Sequence, residues 1–393
     1  MLRLKMRILL FCIIVMLISS CGQSPQEEYI EILHLNCSEA KNINIPKLSD
    51  ILSDISYIAL ETKDICLIDQ VNDLILTDNY IVLDGGYENE CYVFDKKSGK
   101  YLHTIGIWND PGPTGYSDKT FPLYVINNEV YLKANYGGTK YKVYSLDNGC
   151  LLKSISGGIG DKKWPNDYLY PLNDSIMLQY DNNYVGNNKY GLQICTWSGN
   201  ILKRFLSTNN FKRNKALDYF ISYYNEIIFY RYKDQIHYHE FTSDTIFRLN
   251  EQLEREPLYV VDKGDRMPIP EMRNQKEMED LKKRLIKFDN IIENDSYLLM
   301  IGRYWNKETY IYNKQTGETS LLNGEQIKGF KNDLNGFLPF LPIERGRNKA
   351  ENEVWAILQP DEYMEGVEAT GVNPLGIKLK FDDNPIIVIG TLK

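Results

Sequence analysis

The residues of this chain that could do chemistry are few and scattered. There are only four histidines. His237 and His239 are two apart, so on a strand they point to one face, with Glu240 beside them. With Glu240 that pair could begin a metal site, but one solvated face of an outer strand gives the same spacing. No metal and no cofactor is therefore expected. The sequence contains no H-E-x-x-H, no G-x-S-x-G and no P-loop. Asn/Asp-rich stretches such as 181–188 lack the EF-hand pattern and read as hairpin turns. Fifty-three acidic residues allow a glycosidase-type carboxylate pair, but nothing in the sequence selects two of them. Binding chemistry is best defined in two connecting segments. One carries Trp108, Asp110 and Tyr116; the other carries Asp161, Lys162, Lys163 and Trp164. An aromatic ring face beside hydrogen-bonding groups suits a sugar or a peptide. The same rings could instead fill seams between packed sheets.

The elements that must position these residues read as β. Short runs rich in Val, Ile, Tyr and Phe alternate with Asn, Asp and Gly turns, as in 73–80, 80–84, 91–95 and 101–105. This four-strand unit repeats. Cys91-Tyr-Val-Phe-Asp…Gly99 aligns with Tyr141-Lys-Val-Tyr-Ser…Gly149, with Leu192-Gln-Ile-Cys-Thr…Gly199 and with Thr309-Tyr-Ile-Tyr-Asn…Gly317. Gly99, Gly149 and Gly199 are spaced by fifty, each at a hairpin turn that needs positive φ. Four strands per roughly fifty residues is the pattern of a propeller blade, and the length fits six blades of about 53 residues. The fold class expected is all-β: a six-bladed β-propeller of four-stranded antiparallel blades over 51–393. One helical insertion is expected near 270–289, where Met278, Leu281, Leu285 and Phe288 fall on one helical stripe. It reads as a surface helix packed on the blade edges.

The N-terminus reads as an address. Arg3, Lys5 and Arg7 precede an apolar run from Ile8 to Ile18, too short to span a bilayer comfortably. Ile18-Ser19-Ser20-Cys21 resembles the lipobox of bacterial lipoproteins, in which the cysteine is lipidated. Residues 1–20 are then a signal peptide and 21–50 a lipidated tether. Gly22 in place of Asp favours the outer membrane, facing the periplasm or exposed at the surface. Cleavage removes three positive charges, and the formal charge moves from −8 to about −11. So acidic a body argues against nucleic-acid binding and leaves membrane attachment to the lipid. Cys37, Cys66, Cys91, Cys150 and Cys195 remain, with no zinc spacing. An exported chain permits a Cys37–Cys66 disulfide, while the last three lie in strand-like runs and read as small buried hydrophobes.

On these motifs the chain resembles the six-bladed β-propeller lipoprotein family, related to the NHL and TolB-like propellers. The resemblance rests on the opening strand Asp54–Thr62, the loop Ile107–Tyr116, the segments Asp244–Leu249 and Pro257–Gly264, the run Asn332–Pro342 and the closing strand Asn384–Lys393. It implies a ring closed by pairing the opening strand with the last blade. It implies no settled activity.

The function expected is a non-catalytic binding or interaction module for a glycan, a peptide or an envelope protein, with a monomeric body. Two alternatives stand beside it. One is a propeller hydrolase or lyase acting on polysaccharide, its site assembled from inter-blade loops. The other is a scaffold subunit of an envelope complex.

Overall fold

Six small antiparallel sheets follow one another along the chain, as the fifty-residue period requires. The computed structural model describes residues 31–42, 47–85, 90–116, 123–134, 140–156, 168–183, 185–214, 223, 226–274, 278–305, 307–323, 329–343 and 352–393. Blade 1 consists of Asp73–Leu76, Tyr80–Asp84, Cys91–Asp95 and Tyr101–Ile105, ordered from the inner to the outer strand. Blade 2 runs from Tyr124 to Ser156, blade 3 from Tyr168 to Leu206, blade 4 from Ile227 to Asp262 and blade 5 from Asn290 to Asn323. Each places four strands in sequence order, so every connection within a blade is a hairpin.

Blade 6 closes the ring. Its strands Glu353–Leu358 and Ile386–Leu392 are joined by Leu52–Ala59, the opening strand, as the outermost member. Ile343 bridges Trp355 on the inner side. A sheet that would otherwise end on an open edge is completed by the other end of the chain. Asn384, buried in the closing motif, clamps the exit toward blade 1. Its Nδ2 donates to the Glu61 and Cys66 carbonyls at 2.8 and 2.7 Å, and its Oδ1 accepts from the Ile68 amide at 2.9 Å.

The repeated glycines do what the spacing demands. Gly99, Gly149, Gly199 and Gly317 have φ of +69°, +69°, +89° and +72° in the turns before the outer strands. Two of them also touch the preceding blade. A Cβ on Gly99 would collide with the Ala59 carbonyl of blade 6, and one on Gly149 with the Thr104 carbonyl of blade 1. The apolar cores lie in the seams, with blades 4 and 5 sharing Tyr230, Tyr259, Ile291, Met300 and Tyr310, for example.

Three features differ from the sequence reading. The segment read as a tether over 21–50 is packed from Leu33 onward. Leu33–Asn36 adds a fifth, parallel strand to blade 4, and Lys41–Asn42 does the same on blade 5. Leu35 and Leu48 are fully buried. Leu33, Leu35 and Cys37 alternate with polar residues as a strand does, but nothing local says which sheet they join; packing of Leu33, Leu35 and Cys37 against blade 4 decides it. The chain accordingly divides into Met1–Ile32 and Leu33–Lys393. Secondly, the insertion opens as a 3-10 turn at Pro270–Asn274, and its described helix, α1, spans Met278–Arg284. Leu281, Leu285 and Phe288 of the predicted stripe are buried, as is Met272 of the 3-10 turn. Thirdly, a longer helix, α2, at Pro360–Thr370 joins the second and third strands of blade 6. Tyr363 of α2 packs with Phe337, Leu379 and Ile386. Gly366 lets α2 approach closely, since a Cβ there would strike Leu338 and Phe337.

Candidate functional site

In a four-stranded antiparallel blade, the inner strand starts where the second strand ends, the third starts and the outer strand finishes. The inter-blade connections therefore collect at one end of the sheets. Asp73 stands there at the first inner strand, and its Oδ2 accepts from the Leu123 amide at the start of the next blade's inner strand, at 3.0 Å.

The loop carrying Trp108, Asp110 and Tyr116 also lies at this end, after the outer strand of blade 1. It is a packed turn. Ile107–Trp108 pairs with Gly115–Tyr116, and the Asp110 carboxylate accepts from the Gly112 amide at 2.8 Å. Tyr116 is 1% exposed, so it offers no open ring face; its hydroxyl accepts from the Cys91 amide at 2.9 Å. Trp108, half-buried, lies 5.6 Å from Tyr116, and Tyr116 lies 6.4 Å from Tyr144 of blade 2. These rings fill the seam between blades 1 and 2. Asp161, Lys163 and Trp164, like Cys21, lie outside the described residues.

The densest chemistry is a cluster of buried charges at the same end of blades 3 to 5. Glu226 precedes the inner strand of blade 4 and accepts two hydrogen bonds from the Arg273 guanidinium, at 2.9 and 2.5 Å. Arg273 also lies 5.1 Å from the Tyr223 ring, which packs against Phe241 and Trp305. Glu240 ends the second strand of blade 4 and accepts from the Thr208 hydroxyl at 2.6 Å; burial holds its carboxyl above the usual range. Lys287 pairs with Asp289 before the inner strand of blade 5, and Asp289 accepts from the Arg303 and Tyr304 amides. Lys263, at the end of blade 4, sits 3.3 Å from His239 Nε2 and 4.9 Å from the Phe288 ring. Burial, with Lys287 nearby, pushes the Lys263 ammonium down to about 7. Burial, with Lys263 beside it, also depresses His239. The insertion contributes Arg273 and Lys287, so its role here is to bring one cation to Glu226 at blade 4 and one to Asp289 at blade 5.

His237 and His239 do point to one face, but that face is buried. Their strand, Gln235–Glu240, is the second of blade 4 rather than an outer strand in solvent, because its apolar neighbours pack on both sides. His237 Nδ1 lies 3.1 Å from Glu293 of blade 5, which also accepts from the Tyr230 and Tyr259 hydroxyls and from Lys314. Burial alone would raise Glu293. The His237 hydrogen bond and charge, then Lys314, outweigh it and bring the carboxyl down to about 2. Glu240 turns to the opposite side, toward blade 3. Among the described residues, no group of three His, Cys, Asp or Glu side chains is arranged to hold a metal. No disulfide joins any of the five cysteines Cys37, Cys66, Cys91, Cys150 and Cys195 among the described residues. Cys37 and Cys66 sit in different core clusters. Burial pushes the Cys37 thiol up to about 12. Cys150 is exposed beside the turn glycine Gly149, unlike buried Cys91 and Cys195.

Known proteins place this architecture. The family model described as "Domain of unknown function (DUF4934)" matches residues 32–391. The chain belongs to that family. No curated protein matches it. This DUF4934 propeller is similar to the crystal structure of a Bacteroides fragilis protein described as exported, at 17% identity and a TM-score of 0.66, over 92% of this chain and 100% of that one. It is also similar to a DUF4221-family member from Bacteroides vulgatus, at 9% identity and a TM-score of 0.50, over 87% and 97% of the two chains. These likenesses show the fold, a six-bladed propeller.

Proposed function

We propose that this protein is a non-catalytic binding module of the cell envelope. A lipid on Cys21 anchors it at the outer membrane, and the propeller presents a surface to a glycan, a peptide or an envelope protein. The observation that carries the reading is the state of the charges at the loop-bearing end. Arg273 and Glu226, and Lys287 and Asp289, are buried against each other with side-chain exposures of 2% or less. Such pairs are costly to break and fix the strands and the insertion in one arrangement. That is a rigid frame for loops, not a set of groups offered to a reacting bond. The anchor reading rests on Ile18–Cys21 and the apolar run before it.

A second reading, a hydrolase or lyase acting on polysaccharide, draws on one observation. Lys263, titrating near neutrality beside His239, has the proton affinity that general acid–base work needs. Its 2% exposure favours the structural role. Thermal-shift profiling of residues 27–393 against polysaccharides, peptides and divalent ions tests the proposal. Stabilisation by a glycan or peptide is the expected result; stabilisation by calcium alone opposes it.

A further inference from the structure

The outer edges of the blades are not all alike. On blade 4 the outer strand Arg255–Asp262 is covered by Leu33–Asn36 in parallel register, from Leu33 opposite Tyr259 to Asn36 opposite Asp262. On blade 5, Lys41 and Asn42 pair with Ser320 and Leu321 in the same sense. On blades 1, 2 and 3 the sheets end, among the described residues, at the fourth strand.

The uncovered edges share a further detail with the covered edge of blade 4. In each of these four blades the pairing of the third and outer strands skips one residue of the outer strand, a bulge. The skipped residue is Leu102, Leu152, Leu202 or Leu258. In blade 4, Leu258 is half-buried and packs in the same apolar cluster as Leu33 and Leu35 of the added strand. In blades 1 to 3 its counterparts stand 43%, 53% and 53% exposed. An apolar residue that the chain covers once with its own strand is left open three times.

Blade 3 offers the most. Its outer strand Ile201–Leu206 alternates exposed Leu202, Arg204 and Leu206, the last at 61% exposure. Arg204 and the exposed Lys189 both lie over the Tyr190 ring, at 5.1 and 5.3 Å. Lys203 follows on the same strand, paired with Glu254 of blade 4. In a chain of net charge −8, this edge is locally basic and apolar.

We infer that the outer edge of blade 3 takes up an extended, acidic and apolar segment of a partner protein as a fifth parallel strand, as residues 33–36 do on blade 4. Main-chain hydrogen bonds to Ile201–Leu206 give the affinity. Leucine-type side chains cover Leu202 and Leu206, and a carboxylate meets Arg204. The inference rests on the binding-module reading for the class of its partner and specifies the protein case of it.

The test uses the mature chain and a short fluorescein-labelled peptide of alternating leucine and glutamate, read by fluorescence anisotropy. Saturable binding is expected. Arg204→Glu should weaken it at least about tenfold, and Leu202→Asp with Leu206→Asp should abolish it, with melting temperatures within about 2 °C of wild type confirming the fold. The same peptide N-methylated at alternate residues should not bind, because the edge then has no main-chain partner. No saturable binding up to about 1 mM, or equal binding by Arg204→Glu or by the N-methylated peptide, overturns the inference. So does dimerisation of the free protein that Arg204→Glu abolishes, which gives the edge to a second copy. Vesicles of anionic phospholipid that bind in place of the peptide give it to the membrane and overturn it too. Loss of peptide binding with polysaccharide stabilisation intact leaves the binding-module reading standing without this edge.

Discussion

Glu293→Gln puts the strongest demand on the seam between blades 4 and 5. The carboxylate accepts from His237, Tyr230, Tyr259 and Lys314 at 3.1, 2.8, 2.5 and 2.6 Å and is itself fully buried. Its carboxyl is held at about 2, against an ordinary value of 4.5. A depressed acid stabilises the fold above its unfolded value and loses that contribution as pH falls toward the folded one. At about 1.4 kcal/mol per pH unit, the difference is about 3 kcal/mol at pH 7. Spread over Leu33–Lys393, that loss lowers the melting temperature by about 4 °C. The measurement is the melting temperature of wild type and Glu293→Gln from pH 7 to pH 3. The gap should be full at pH 7 and fall below half by pH 3, because the wild-type carboxylate has by then lost most of its advantage. A gap that stays constant with pH, or one below about 1 °C at pH 7, refutes the reasoning.

Three further outcomes are expected. Gly317→Ala, at φ +72° with nothing within 4 Å, should cost about 1 kcal/mol, whereas Gly99→Ala, at φ +69° against the Ala59 carbonyl, should cost more than about 2 kcal/mol; chemical denaturation of both variants compares them. Lys263→Met should stabilise by more than about 1 kcal/mol at pH 6. A lysine held at about 7 against 10.5 carries its full penalty below pH 7, and that penalty fades as pH rises toward 10.5, so the gain should shrink at pH 9.5. Cys21→Ala should move the protein from the membrane fraction to the soluble one; an unchanged distribution contradicts the lipid anchor.

Much of the ring was legible because its rules are local. A glycine at positive φ every fifty residues marks the same hairpin in successive blades, and Asn384 and the opening strand sit where a closed ring needs them. The helix α2 was missed although its signals are present. Pro360 stands at the first position, Gln359 and Glu362 form a capping box, and Gly371 caps the end at φ +71°. Its apolar stripe is narrow, so the hydrophobic period that revealed the insertion gives little here. The fifth strands at 33–36 and 41–42 were invisible for a related reason, since their partners lie more than two hundred residues away. The site divides the same way. Trp108 and Tyr116 were legible as aromatic loop residues, but only the fold shows them filling a seam. The pairing of Arg273 with Glu226, 47 residues apart, and of His237 with Glu293, 56 apart, depends on how blades and insertion pack, which no local spacing records.

The central claim is that this propeller binds without turning its ligand over. It is tested most directly by incubating residues 27–393 with a polysaccharide panel and measuring, in the same samples, the melting temperature and the release of reducing or unsaturated ends. A raised melting temperature with intact polysaccharide is the expected result. Release of new ends that Lys263→Met abolishes would contradict the claim and place the chemistry beside His239.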